Sequence, residues 1–152
     1  MTRRHDALIP LTHDHHHALH NVRLLSKAAG AEGPERVEAA LAFVAHFHDH
    51  SVQHFREEEE ELFPMVVGLP DAPVDGIARI LLEHVQIHAL VKDLGRQAAA
   101  GDVEPQTMRS VGDLLKAHIR FEENDLFPAI EAMVPDELRS LTLAAREPQP
   151  GG

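Results

Sequence analysis

The chain contains no cysteine, no tryptophan and no tyrosine among its 152 residues. Without cysteine there is no disulfide, no thiolate nucleophile, no iron–sulfur cluster and no thiolate-ligated haem. Without tyrosine and tryptophan, chemistry based on a phenolate or on those ring radicals is excluded as well. No apolar run approaches the roughly 18 residues that a membrane span requires. No apolar stretch follows Met1 to Asp6 in the manner of a signal peptide, so a cytoplasmic location is expected. Basic residues are scarce. The 14 Lys and Arg stand against 25 Asp and Glu, a formal charge of −11. That balance argues against nucleic acid or an anionic membrane as a partner, since both demand basic patches.

Histidine is abundant instead, with 13 in the chain. Imidazoles and carboxylates together are the ligand set of Fe, Mn, Zn or Cu. The length suits one domain with a sizeable core, and the apolar fraction of 43% is ordinary for a globular protein.

Breaking signals divide the chain into helices. They are Gly30 to Pro34, Gly68 to Pro73 and Gly101 to Pro105, with Pro34 suited to a first helical turn. Between them apolar residues recur at three- and four-residue steps. Leu41, Val44, Phe47 and Ser51 lead towards His54, Glu58 and Leu62, and Ile80, His84, Ile87, His88 and Val91 form another stripe. The pattern predicts helices over roughly 12–30, 34–63, 74–100 and 105–131. A short helix over about 135–145 and a disordered tail at 148–152 are expected to follow. Nothing reads as a strand. Short loops between long amphipathic helices imply an all-α, antiparallel up-down-up-down four-helix bundle with a short C-terminal helix, a single domain over 1–147.

An eleven-residue stretch occurs twice. His54-Phe-Arg-Glu-Glu-Glu-Glu-Glu-Leu-Phe-Pro64 matches His118-Ile-Arg-Phe-Glu-Glu-Asn-Asp-Leu-Phe-Pro128 at seven of eleven positions. Residues i and i+4 share a helix face, so His54 with Glu58, and His118 with Glu122, can each reach a common point. Both faces continue into leucine, at Leu62 and Leu126. A glutamate on such an inward face requires a cation or hydrogen bonds. Glu57 and Glu60 face elsewhere and are expected to be solvated. Glu59, Glu61, Glu123 and Asp125 each lie within a turn of the site.

The third helix offers His84 and His88, again at i and i+4. Ten residues from His54 to Pro64 and ten from Val74 to His84 set them at one level, about 15 Å along each helix. The first helix has five imidazoles in eight positions, His13 to His20. The stripe of Leu11, Leu19, Val22 and Ser26 runs through His15, with His16 as the alternative. The candidate ligands are therefore His15, His54, Glu58, His84, His88, His118 and Glu122. Seven are too many for one ion and suit two, which bridging carboxylates hold about 3.5–4 Å apart. A structural zinc would need only four.

These features resemble the hemerythrin-like, or HHE cation-binding, family. The resemblance rests on Asp14-His15-His16-His17-Ala18-Leu19, the HxxxEExxLFP stretches at 54–64 and 118–128, and Glu83-His84-Val85-Gln86-Ile87-His88. It implies two Fe ions with Glu58 and Glu122 as bridges, an oxo or hydroxo group completing the bridge, and the five histidines as terminal ligands. It also implies an open position for a small ligand. Oxygen-carrying hemerythrins have HxxxxD on the last helix, where this chain has HxxxE; the fifth position after His118 is Glu123. Ferritin-like bundles use ExxH, and no Glu stands three residues before any His here.

Two classes of function follow from the resemblance. One is a binding module for O2 or NO in oxygen, redox or nitrosative-stress responses, with a separate partner. The other is an enzyme that breaks down peroxide or NO, to which His46, His48 and His50 could supply protons, His50 being the one expected to point inward. Iron storage is a minor third.

Overall fold

The computed structural model describes residues 3–146, and the expected tail at 148–152 lies outside them. Four long helices account for most of the described residues, and no strand occurs among these. We label them α1 (Ile9–Ala28), α2 (33–62), α3 (Val74–Ala99) and α4 (105–133). Proline lies in the first turn of α1, α2 and α4 (Pro10, Pro34 and Pro105), where its missing N–H costs nothing. The end of α3 is a left-handed cap. Gly101 has φ 75°, its N–H bonds Ala98 O and the next N–H bonds Gln97 O, which satisfies the last carbonyls.

Three π-helical turns interrupt what reads in sequence as unbroken helix. They are Phe47–Ser51 and Glu58–Leu62 in α2, and Glu122–Leu126 in α4. The last two begin at equivalent glutamates of the eleven-residue repeat and end just before its Phe-Pro. Pro64 and Pro128 have no N–H for the carbonyls of Glu60 and Asn124. The preceding Phe63 and Phe127 N–H groups reach back five residues, to Glu58 O and Glu122 O. The repeat therefore encodes a backbone feature as well as a His–Glu pair on one helix face.

Each helix packs against two others in the ring α1–α2–α3–α4–α1. Buried apolar residues form two clusters. One contains Val22, Phe43, Phe47, Phe55, Ile87, Val91 and Leu115. The other contains Leu11, Leu62, Ile77, Ile80, Leu126, Phe127 and Leu138. On every helix the polar candidates sit where one cluster gives way to the other: His15 between Leu11 and Ala18, His84 between Ile80 and Ile87.

Some expectations are corrected. The segment after α4 forms only a 3-10 turn, Glu137–Ser140, and then runs extended to 146 instead of continuing as a helix to 145. Leu41 and Ser26 lie on exposed faces, because Ala40 and Phe43 on α2, and Ala18, Val22 and Leu25 on α1, form the inward stripe.

Leu126 is fully buried directly beside the polar layer. Leu126→Ala is expected to lower unfolding free energy by about 2–5 kcal/mol. Leu82→Ala, at a side chain 59% exposed, is expected to change it by less than about 0.5 kcal/mol. Chemical denaturation of the metal-free protein measures both.

Candidate metal centre

Six of the seven candidate ligands meet between the helices: His15, His54, Glu58, His84, His118 and Glu122, all buried. Glu58 and Glu122 are completely inaccessible. His54 Nε2 lies 3.4 Å and His84 Nε2 3.2 Å from the Glu58 carboxylate. His15 Nε2 lies 3.3 Å and His118 Nε2 3.2 Å from Glu122. Ligand atoms of His15, His54, Glu58 and Glu122 lie within 4.8 Å of one another, and so do those of Glu58, His84 and His118. The two groups share Glu58.

On the first helix it is His15 that turns inward, while His16 is exposed. His88 is not brought to the site. It lies one turn beyond His84, half-buried, with its ring edge-on to Phe47 and Phe55 at 5.3 and 5.8 Å. Phe55 occupies the space between, stacked on His84 at 3.8 Å. Position i+4 placed both histidines on one face, but the polar layer is only one turn deep there.

Each inward imidazole is anchored through Nδ1 to a carboxylate of a neighbouring helix. Asp14 of α1 accepts from His54 of α2 at 2.9 Å, and Glu59 of α2 from His84 of α3 at 2.7 Å. Glu83 of α3 accepts from His118 of α4 at 2.9 Å, and Glu123 of α4 from His15 of α1 at 2.6 Å. The four contacts close a ring around the bundle. Each fixes the tautomer: Nδ1 gives its hydrogen outward and Nε2 presents a lone pair inward. In the repeat, the first glutamate of each Glu-Glu pair (Glu58, Glu122) faces in, and the second (Glu59, Glu123) reaches the next helix.

The inward-facing atoms have nothing to bond to. The four Nε2 atoms and all four carboxylate oxygens of Glu58 and Glu122 are buried without a hydrogen-bond partner. Leaving such a group unsatisfied costs about 1–3 kcal/mol. Eight of them amount to something on the order of 10 kcal/mol, comparable with the entire stability of a domain, about 5–15 kcal/mol. Lone pairs facing lone pairs are reconciled only by a positive charge between them. The residues thus fit a metal centre on their own chemistry.

Without metal, protons take that role. Burial, then the neighbouring charge of Glu122, push Glu58 well above the usual carboxylate range. Burial raises Glu122 too, but its interactions with Glu58, His118 and His15 outweigh it and hold Glu122 well below that range. For His15 burial opposes protonation, yet Glu122 and Glu123 raise its pKa. His84 is driven down to about 3, by burial and then by His118, and stays neutral.

Asp14, Glu59, Glu83 and Glu123 form the outer layer. Adjacency was the available signal, since each is the sequence neighbour of an inward residue on its own helix. Glu60, Glu61 and Asp125 are exposed. Glu57, expected to be solvated, is instead buried at 4% exposure. The extended segment after α4 covers it, and Arg146 and the Ala144 N–H bond its carboxylate.

Beside His15, His54 and His118 lies a cavity of ≈ 20 Å³, walled by Ala18, Leu115 and Ile119 and lined as well by His46 and His50. That volume accommodates about one water-sized guest. Of the α2 histidines, His48 is exposed, while His50 is half-buried and lines this cavity.

A helical bundle with a buried His/Glu cluster of this composition defines a cation-binding protein. The chain belongs to the hemerythrin family: the model of the hemerythrin HHE cation-binding domain matches residues 7–130, which span all four helices. No curated protein and no solved structure matches the chain. No helix of the described residues is long and apolar enough to cross a membrane.

Metal loading competes with protons, which burial favours on the Glu58 carboxyl and which Glu122 and Glu123 favour on His15. Adding Co(II) to the metal-free protein at pH 7 in weak buffer is expected to release about one to two protons per chain. An indicator dye measures the release, which Glu58→Gln should reduce.

Proposed function

We propose that this protein is a non-haem di-iron protein that binds a small ligand, O2 or NO, at a carboxylate-bridged metal pair. In this reading the four helices run antiparallel, up-down-up-down, in one domain. Glu58 and Glu122 bridge the metals, and His15, His54, His84 and His118 are terminal ligands. The observation that carries the proposal is the set of eight unpartnered atoms, facing one another in two groups that share a carboxylate. Six donors split in this way suit two ions better than one. Mixed nitrogen and carboxylate donors accommodate iron as well as other first-row metals, and the family resemblance selects iron among them. Four imidazoles and two carboxylates leave two ions short of full octahedral coordination. The metal pair supplies a Lewis-acidic, redox-active position for the ligand.

The cavity beside His15, His54 and His118 supports a small ligand. Its apolar walls admit something the size of a diatomic molecule and little more. The protein chain supplies orientation through the Nδ1 anchors and excludes water through Phe55, Leu115 and Ile119. As a cytoplasmic protein it would answer to oxygen, redox state or nitrosative stress. A second reading is a di-iron enzyme that breaks down peroxide or NO. His50 and His46 favour it, because they border the same cavity and histidine is a common proton shuttle.

Protein loaded with iron is expected to hold two metals per chain and to absorb in the near ultraviolet. Glu58→Ala is expected to leave no more than one. His88→Ala should retain both, since its ring faces Phe47. Metal analysis with absorption spectroscopy checks all three. Reversible O2 uptake by the reduced protein supports the binding reading, whereas steady consumption of H2O2 without uptake supports the enzymatic one.

A further inference from the structure

The four Nδ1 anchors are not equally supported. Asp14, which orients His54, is held by Arg146 from the extended segment after α4. Arg146 Nη2 donates to Asp14 Oδ2 at 2.9 Å and to Glu57 Oε1 at 2.5 Å, and Nη1 donates to Glu57 Oε2 at 3.0 Å. One guanidinium thus ties α1 to α2 across the anchor, and both carboxylates are largely buried. Glu123, which orients His15, is held by Arg4 from the segment before α1. Arg4 Nη2 donates to Glu123 O at 2.7 Å and to its carboxylate at 3.2 Å, and Nη1 donates to Glu131 at 2.6 Å. Thr12 adds a hydroxyl donor to Glu123 at 2.9 Å.

The other two anchors are built differently. Glu59, which orients His84, is 39% exposed and meets no arginine among the described residues. Glu83, which orients His118, meets only Arg79 of its own helix, at 3.2 Å and half exposed.

His15 and His54 fall in one ligand group, with Glu58 and Glu122, and His84 and His118 fall in the other. We infer that Arg4 and Arg146 are positioning residues for one of the two metal positions, that of His15 and His54. The segments flanking the helices therefore act as a clamp that makes this position the slower to lose its metal. The inference rests on the dinuclear reading above. Its physical basis is that an imidazole whose anchor is fixed keeps its lone pair aimed, and loss of such an outer contact typically costs 10–100-fold in metal affinity. The forked guanidinium matters because it grips two carboxylates at once, which an ammonium does not reproduce.

The test is release of Co(II) from loaded protein into excess EDTA, followed by absorbance. Wild-type protein is expected to release two equivalents. Arg146→Ala and Arg4→Ala, which loosen the anchors without removing them, are each expected to speed the loss of one equivalent by about 10-fold, the low end for loss of an anchor itself, while the other leaves at the wild-type rate. Arg146→Lys, which preserves the charge and guards against failure of the alanine variant to fold, should fall between. In a His54→Ala background, adding Arg146→Ala should change nothing. Equal acceleration of both equivalents, or of neither, would overturn the clamp and leave the dinuclear site intact. A single equivalent in wild-type protein would overturn the dinuclear reading, and the clamp with it.

Discussion

The structure depends on one electrostatic demand, the need for positive charge among eight buried lone-pair atoms at the middle of the bundle. Two glutamates with no access to solvent and four imidazoles with bare Nε2 atoms face one another there. Apolar clusters on either side supply the burial that holds the helices together. They also remove the water that would otherwise satisfy the polar layer. Hydrophobic burial and cation binding are therefore coupled: the same packing that stabilises the bundle makes an empty centre unfavourable.

Aiming those atoms takes a second set of contacts. Every inward histidine is fixed from behind by a carboxylate on an adjacent helix, and the four contacts run once around the bundle. Each helix therefore both offers an inward imidazole and orients a neighbour's. A shift of one helix along its axis would disturb two imidazoles, its own and the one it anchors. This gives the bundle a register that leucine and isoleucine packing alone would specify less sharply. The acidic composition acquires a structural meaning, since much of the negative charge near the centre is engaged in holding imidazoles.

The two π-helical turns of the repeat belong to the same design. Each begins at an inward glutamate and precedes a Phe-Pro pair. Consecutive helical residues point about 100° apart, so the two glutamates of each pair serve different directions, one into the centre and one towards the next helix. The segments before α1 and after α4 contribute Arg4 and Arg146 to the outer carboxylates, so parts of the chain outside the helices also bear on the centre.

The sequence by itself determined the four long helices, the breaks between them, the family and the inward-facing His–Glu pairs of α2 and α4. All of these follow from interactions within one or two turns, where a spacing of three or four residues translates directly into a shared face. Choosing His15 over His16 was possible on the same ground, since helix phase is a local property. Only the tertiary structure decided which carboxylate anchors which imidazole, because that depends on the ring order and relative height of the helices. His88 shows the limit clearly. Its spacing from His84 is that of a ligand pair, yet Phe55 from another helix fills the space it would need. Glu57 shows the converse: in an acidic run it reads as solvated, and it is buried because Arg146, 89 residues away, folds back onto it. Periodicity reports which way a side chain points from its own helix. What it meets there is set by chain segments distant in sequence.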